Sequence, residues 1–284
     1  MLAAPAATLT IVTAAIVGLG GALPARAQDA SPWQREAHAA TRLLAGASLK
    51  SGDVTALRAG IEIRLDSGWR TYWRYPGDSG APPSFDFAGS QNVQSAEVKF
   101  PAPERFPDGG GGNSIGYADD VILPLRVIPA DPTRPVTLHV KISYEACGSL
   151  CVPAKAVFDA VLTGQGADET ALEKAEQRVP KHAALGAGGA LAILSVHREP
   201  GAVYERVTVE VAAPPGAPVE LFAEGPTPEW ALPLPEPVGP VQGPTRQFRF
   251  DLDGLPPGAQ AKGATLTLTA VSGEDAIEVP HHLD

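Results

Sequence analysis

The sequence predicts an all-β protein, two β-sandwiches joined by a short helical linker. Three observations carry this expectation. Apolar residues recur at every second position in many short runs, the period of a half-buried strand. Glycine (30) and proline (29) together form about a fifth of the 284 residues, a density that interrupts long helices and supplies turns. One segment alone carries convincing helical spacing, and it falls between two groups of strand-like runs.

Taken in order, Ile61, Ile63 and Leu65 alternate with Glu62, Arg64 and Asp66. Val136, Leu138, Val140, Ile142 and Tyr144 alternate with Thr137, His139, Lys141, Ser143 and Glu145. Val203, Val207, Val209 and Val211 share a parity, as do Phe248, Phe250 and Leu252, and then Leu266, Leu268 and Ala270. Each run reads as a strand with one face in a core and the other in solvent. Pro76-Gly77-Asp78 and Pro256-Pro257-Gly258 are turn signals between such runs. In the helical segment, Thr170 and Glu173 have capping-box spacing, Leu172, Ala175 and Val179 share a face, and Pro180 ends it. With the glycine-rich 185–189 behind it, 166–189 is expected to connect a first domain, 28–165, to a second, 190–284.

The N-terminus is expected to be a signal peptide over residues 1–27. An apolar, small-residue run at 9–23 precedes Pro24-Ala25-Arg26-Ala27, which fits cleavage after Ala27, although residues 1–10 contain no Lys or Arg. The run is shorter than the roughly 18 residues a membrane span needs. The mature chain is therefore expected to be soluble and exported. Without residues 1–27 it has 21 Lys+Arg against 32 Asp+Glu, a net charge of −11. That balance argues against nucleic acid or an anionic membrane surface as partner, since both reward clustered cations.

The chemistry points to the two cysteines, Cys147 and Cys151, in Tyr144-Glu145-Ala146-Cys147-Gly148-Ser149-Leu150-Cys151-Val152-Pro153. A loop this short is a weak staple: chain entropy gives about 2 kcal/mol for five residues against about 4.7 for a hundred. A redox-active pair is the leading reading, with a hairpin-pinning structural bond or a soft-metal pair, copper included, as rivals. If the strand at 136–144 buries its even positions, Glu145 and Cys147 face outward, Gly148-Ser149 make the turn and Cys151 begins the return. Such exposure is what thiol exchange requires. Elsewhere no phosphate loop, catalytic triad or histidine cluster stands out, so no cofactor and no metal are expected. The aromatic group Trp69, Tyr72, Trp73 and Tyr75 reads as packing of one strand, and Asp108 with glycines 109–112 as a mobile loop.

Three stretches carry a resemblance to a known family: 68–83 (Gly-Trp-Arg-Thr-Tyr-Trp-Arg-Tyr-Pro-Gly-Asp-Ser-Gly-Ala-Pro-Pro), 114–117 (Ser-Ile-Gly-Tyr) and 147–153 (Cys-Gly-Ser-Leu-Cys-Val-Pro). Together they resemble the periplasmic N-terminal region of the DsbD/ScsB protein-disulfide reductases, over roughly Arg42 to Leu162, and the cysteine spacing is closer to the ScsB branch. Glu229-Trp230-Ala231-Leu232-Pro233-Leu234-Pro235 also looks like the second soluble module of that branch. The resemblance implies an immunoglobulin-like fold, a periplasmic location, and Cys147 and Cys151 as catalytic residues. It also implies a cap over the disulfide, for which Ile115 or Tyr117 would serve. The implied partners are a membrane-embedded thiol electron donor and periplasmic thioredoxin-like oxidoreductases, with copper-stress or thiol-repair substrates by association.

Overall fold

A computed structural model describes residues 30–52, 54–239 and 243–284; the expected signal peptide and its cleavage site lie outside the described residues. The first part of the chain forms β1 (Gln34–Glu36), β2 (Ala39–Ser51), β3 (Val54–Leu65), β4 (Arg70–Gly77), β5 (Ser84–Asp86) and β6 (Val93–Val98). It continues with β7 (Glu104–Pro107), β8 (Asn113–Ala118), β9 (Asp120–Pro129), β10 (Val136–Cys147) and β11 (Cys151–Leu162). Helix α1 (Glu169–Gln177) follows, then β12 (Lys181–His182), β13 (Ala192–Glu199), β14 (Arg206–Ala212) and β15 (Glu220–Glu224). The last strands are β16 (Glu236–Val238), β17 (Thr245–Asp251), β18 (Thr265–Ser272) and β19 (Asp275–His282).

The described residues form an all-β fold apart from α1. One sandwich faces a sheet ordered β1-β2-β3-β9-β6 against another ordered β11-β10-β4-β8-β7, with β5 added beside β10. The other pairs a sheet ordered β12-β19-β18-β15 with one ordered β13-β14-β17-β16. The alternation explains the cores. Val136, Leu138, Val140, Ile142 and Tyr144 fill the first, and Val207, Val209, Val211, Phe248, Phe250, Leu266 and Leu268 fill the second. Val203 is a correction: it precedes β14 and is 82% exposed, outside the strand its parity assigned it to.

Strand β3 also departs from the half-buried expectation, because Arg58 and Glu62 are buried on its outer face. Helix α1 packs back onto this sandwich, sinks Leu172 and Ala175, and brings Glu169 and Glu176 to the Arg58 guanidinium. Burial alone would lower the Arg58 pKa, but the hydrogen bond and charge of Glu176, with Glu169 and Glu173, outweigh it and raise the pKa. Glu62 is paired with Arg42 and Arg64. The helix starts differently from its sequence signal: Asp168 occupies the N-cap without a side-chain cap bond, and Thr170 lies inside the helix. The Asp168 carboxylate instead accepts from the Ala45 amide at 3.1 Å, so a tertiary tie replaces the capping box.

The core of the first sandwich extends through β4 to residues of the second. Trp73 and Phe222 are fully buried against each other, ring centroids 5.8 Å apart, and Leu234 joins the same cluster. Beside them Arg74 forks onto Glu224 (2.9 and 2.7 Å) and reaches Glu278. The Tyr75 hydroxyl donates to the Leu232 carbonyl, and Arg105 binds Glu236 and the Pro235 carbonyl, both at 2.8 Å. Phe222→Ala, a change in the second sandwich, is therefore expected to destabilise the whole described unit by about 3–5 kcal/mol. Urea denaturation checks this; a variant whose first sandwich unfolds at the unaltered midpoint would show that the two cores are independent.

Candidate functional site

The site lies where β10 ends. Twelve residue pairs run down the β10–β11 ladder, from Val136 opposite Leu162 to Cys147 opposite Cys151. The last pair is joined by a disulfide, with Cα atoms 4.0 Å apart. Gly148, Ser149 and Leu150 make the turn, closed by the Gly148 amide donating to the Leu150 carbonyl at 3.0 Å. Trp69 lies against this turn: a Cβ on Gly148 would come within 3.1 Å of its ring. The other neighbour of Trp69 is His38, stacked at 3.6 Å and held by Asp66 at 3.2 Å. Asp66 is kept below the usual carboxylate range, chiefly by the Arg35 hydrogen bond.

The two sulfurs are not equivalent. Cys151 is exposed, beside a Leu150 that is 60% exposed, whereas Cys147 is only 9% exposed. The outward orientation expected for Cys147 is thus overturned. Alternation holds as far as Ala146, and Cys147 alone is buried out of phase. The end of β10 pairs with β4, at Arg70, and β4 brings the Tyr72 hydroxyl to 3.3 Å from the Cys147 sulfur.

The Tyr72 hydroxyl lies 3.3 Å from both sulfurs. A disulfide sulfur has no proton, so the phenol is the donor. Burial, and then the nearby Glu145 carboxylate, push the Tyr72 pKa up, partly offset by the Ser114 and Ser79 hydroxyls. Tyr72 consequently keeps its proton and remains a donor across the neutral range. A Glu145 carboxylate oxygen and the two sulfurs lie within 4.8 Å of one another, the one such group of three potential metal ligands among the described residues.

Neither residue expected to cap the disulfide does so. Ile115 is fully buried in the sandwich core, and Tyr117 is buried there with its hydroxyl donating to the Pro101 carbonyl at 2.9 Å. Side chains locked into a core cannot lift away when a partner docks. The turn after β4 instead packs on the two side chains next to the sulfurs, Tyr72 and Glu145. Gly80, at φ +101°, lies so close over the Tyr72 ring that an added Cβ would overlap it, and the Ala81 amide donates to Glu145 at 3.3 Å. The Asp108 loop props this turn from behind and is less free than its composition implies. Asp108 accepts from the amides of Gly110 (2.8 Å) and Gly112 (3.0 Å), while the Asn113 amide donates to Asp78 at 2.8 Å. Sequence reasoning missed Tyr72, His38 and Gly80 as parts of the site. The density of aromatic, Pro and Gly residues at 68–83 was the available signal, read there as packing.

Residues 41–163 match the family described as "Thiol:disulfide interchange protein DsbD, N-terminal". The fold is similar to the crystal structure of the N-terminal periplasmic domain of ScsB from Proteus mirabilis. The TM-score is 0.68 with 18% sequence identity, over 89% of this chain and 98% of that one. No curated protein matches the chain significantly.

Two outcomes follow from the geometry. Tyr72→Phe removes the hydrogen-bond donor shared by the sulfurs. Since a hydrogen bond to a charged group is worth about 1.5–3 kcal/mol, the thiol pKa of the reduced protein should rise by about 1–2 units, read from thiolate absorbance against pH. Gly80→Ala, which forces the turn off the Tyr72 ring, should lower the melting temperature and, measured well below it, speed reduction by glutathione several-fold; an unchanged rate in the folded variant would show that the turn does not limit access to the pair.

Proposed function

We propose that this chain, whose residues 41–163 belong to the DsbD N-terminal family, is an exported thiol-disulfide interchange protein. It relays electrons from a membrane-embedded thiol donor to periplasmic thioredoxin-like oxidoreductases through Cys147 and Cys151. The observation that carries this reading is the unequal exposure of a lone disulfide within a matching family segment. In the dithiol form the exposed Cys151 thiolate attacks a sulfur of the partner's disulfide. The partner's second sulfur leaves as a thiolate and takes a proton from water. The buried Cys147 thiolate then attacks the Cys151 sulfur and expels the partner's first sulfur. The Cys147–Cys151 bond re-forms, and two electrons have passed to the partner. In the reverse sense, a donor thiolate reaches Cys151 and Cys147 is the leaving group.

A purely structural role for the bond is disfavoured by the ladder itself, since eleven further residue pairs already hold this hairpin. Among the described residues no helix is long and apolar enough to cross a membrane. The division of labour that follows is that 28–165 performs exchange and 190–284, which has no cysteine, supports it and selects partners. The buried core shared through Trp73 makes that support mechanical as well as a matter of docking.

Cys147→Ser should trap a mixed disulfide through Cys151 with a thioredoxin-like partner, because the resolving thiol is gone, and Cys151→Ser should trap little. Trapping through Cys147 alone would reverse the assigned order. The reduction potential is expected above the range of about −300 mV and below that typifies structural bridges. A potential below that range, with no adduct from either variant, would refute the relay.

A further inference from the structure

We propose that the reduced site is also a Zn2+ site, with the Cys147 and Cys151 thiolates and the Glu145 carboxylate as its three protein ligands. The inference rests on the same reducible pair as the relay, and adds a ligand and a use for Glu145 that electron transfer does not require. It starts from the juxtaposition of one carboxylate oxygen and two sulfurs, all within 4.8 Å of one another at the end of one hairpin. Tetrahedral zinc places sulfur at about 2.3 Å and carboxylate oxygen at about 2.0–2.2 Å. Its ligand atoms are therefore roughly 3.5–3.8 Å from one another, a spacing these three side chains reach by small torsional changes once the S–S bond is open.

The surroundings match the charge and orientation such a site needs. One Glu145 oxygen accepts from the Ala81 amide at 3.3 Å, which orients the carboxylate and leaves its other oxygen for a metal. The Tyr72 hydroxyl, 3.3 Å from both sulfurs, is placed to donate to a metal-bound thiolate, the kind of outer contact that fixes ligands in zinc sites. The exposed Cys151 side leaves the fourth position to water. The mixed oxygen and sulfur donors select zinc over Cu(I), which would use the thiolates and ignore the carboxylate. Binding replaces two thiol protons with one divalent ion, so it releases up to two protons and is favoured as pH rises. Glu145, which opposes thiolate formation when the site is empty, becomes a ligand when the cation is present.

Zinc would hold the pair reduced and block its exchange. Because it binds only the dithiol, free zinc at a hundred times its dissociation constant favours the reduced form about a hundredfold, which at 29.6 mV per tenfold raises the potential by about 59 mV. The test uses the full chain reduced with a phosphine, two thiols counted before metal is added, and ZnCl2 titrated against a chromophoric chelator. One zinc per reduced chain and none per oxidised chain is expected. Glu145→Gln should weaken binding 10-fold or more while leaving two titratable thiols, and Cys147→Ser should abolish it. A fully reduced protein that binds no zinc at micromolar concentration overturns this site and leaves the relay standing, whereas a disulfide that cannot be reduced in the folded chain overturns both. Zinc or Cu(I) binding that is indifferent to Glu145→Gln also overturns it, since the carboxylate is then no ligand.

Discussion

The pairing of β4 beside β10 is the constraint on which the site depends. At its start β4 sets Arg70 against Cys147, buries that sulfur's side of the disulfide, and brings the Tyr72 hydroxyl to both sulfurs. Three residues farther on, the same strand inserts Trp73, Arg74 and Tyr75 into the junction between sandwiches. The pairing of β4 with β8 shifts register between Tyr72 and Gly77, so one strand serves the disulfide with its first residues and the junction with the irregular stretch that follows.

Charge burial at the junction explains why it holds one arrangement. Burial pulls the Arg74 pKa down, yet the Glu224 hydrogen bonds and charge, with those of Glu278, more than reverse it and leave it raised. An ion pair of this kind, part-buried with Arg74 28% exposed, adds little net stability over an apolar contact, and losing one partner leaves a poorly compensated charge at a cost below the roughly 3–5 kcal/mol of a fully buried pair. It therefore penalises alternative docking angles more than it rewards this one. The apolar contact of Trp73 with Phe222 supplies the attraction, and the Arg74 fork supplies the register. Tyr75, whose pKa burial pushes up to about 12, remains protonated and donates to Leu232 throughout the accessible pH range.

Much of the architecture was legible in the sequence because period-2 alternation is a local signal: β10, β14, β17 and β18 bury the residues their parity assigns. What the sequence left open is tertiary. The outer face of β3 is buried because α1 returns to cover it, and Cys147 is buried because β4, some seventy residues earlier, lies beside it. Alternation describes two faces of a sheet and says nothing about a third element that covers one of them. The cysteines themselves were plain from spacing and resemblance. Ile115 and Tyr117 were assigned as a cap by position in a motif, but β8 is an interior strand between β4 and β7, which fixes both side chains in the core. A cap needs a segment free on one side, and the turn between β4 and β5 is that segment.

The electrostatics of the pair also bear on which partner drives exchange. Reactive thiols of low pKa usually lie at a helix N-terminus or beside a cation. Here the single helix among the described residues packs on β2, β3 and β9, and a carboxylate oxygen of Glu145 lies within 4.8 Å of both sulfurs. A carboxylate so close disfavours the thiolate, and the Tyr72 hydroxyl favours it, so the two oppose each other at the same pair of atoms. A positive group arriving at Glu145 would relieve the carboxylate's opposition to the thiolate. A partner presenting a Lys or Arg beside its own disulfide would do this in passing, and release the thiolate only within the docked complex. The turn over Tyr72 and Glu145 lies on the Cys147 side, while Cys151 stays exposed. Access to the two sulfurs is therefore unequal, and the carboxylate and the phenol act on the pair with opposite sign.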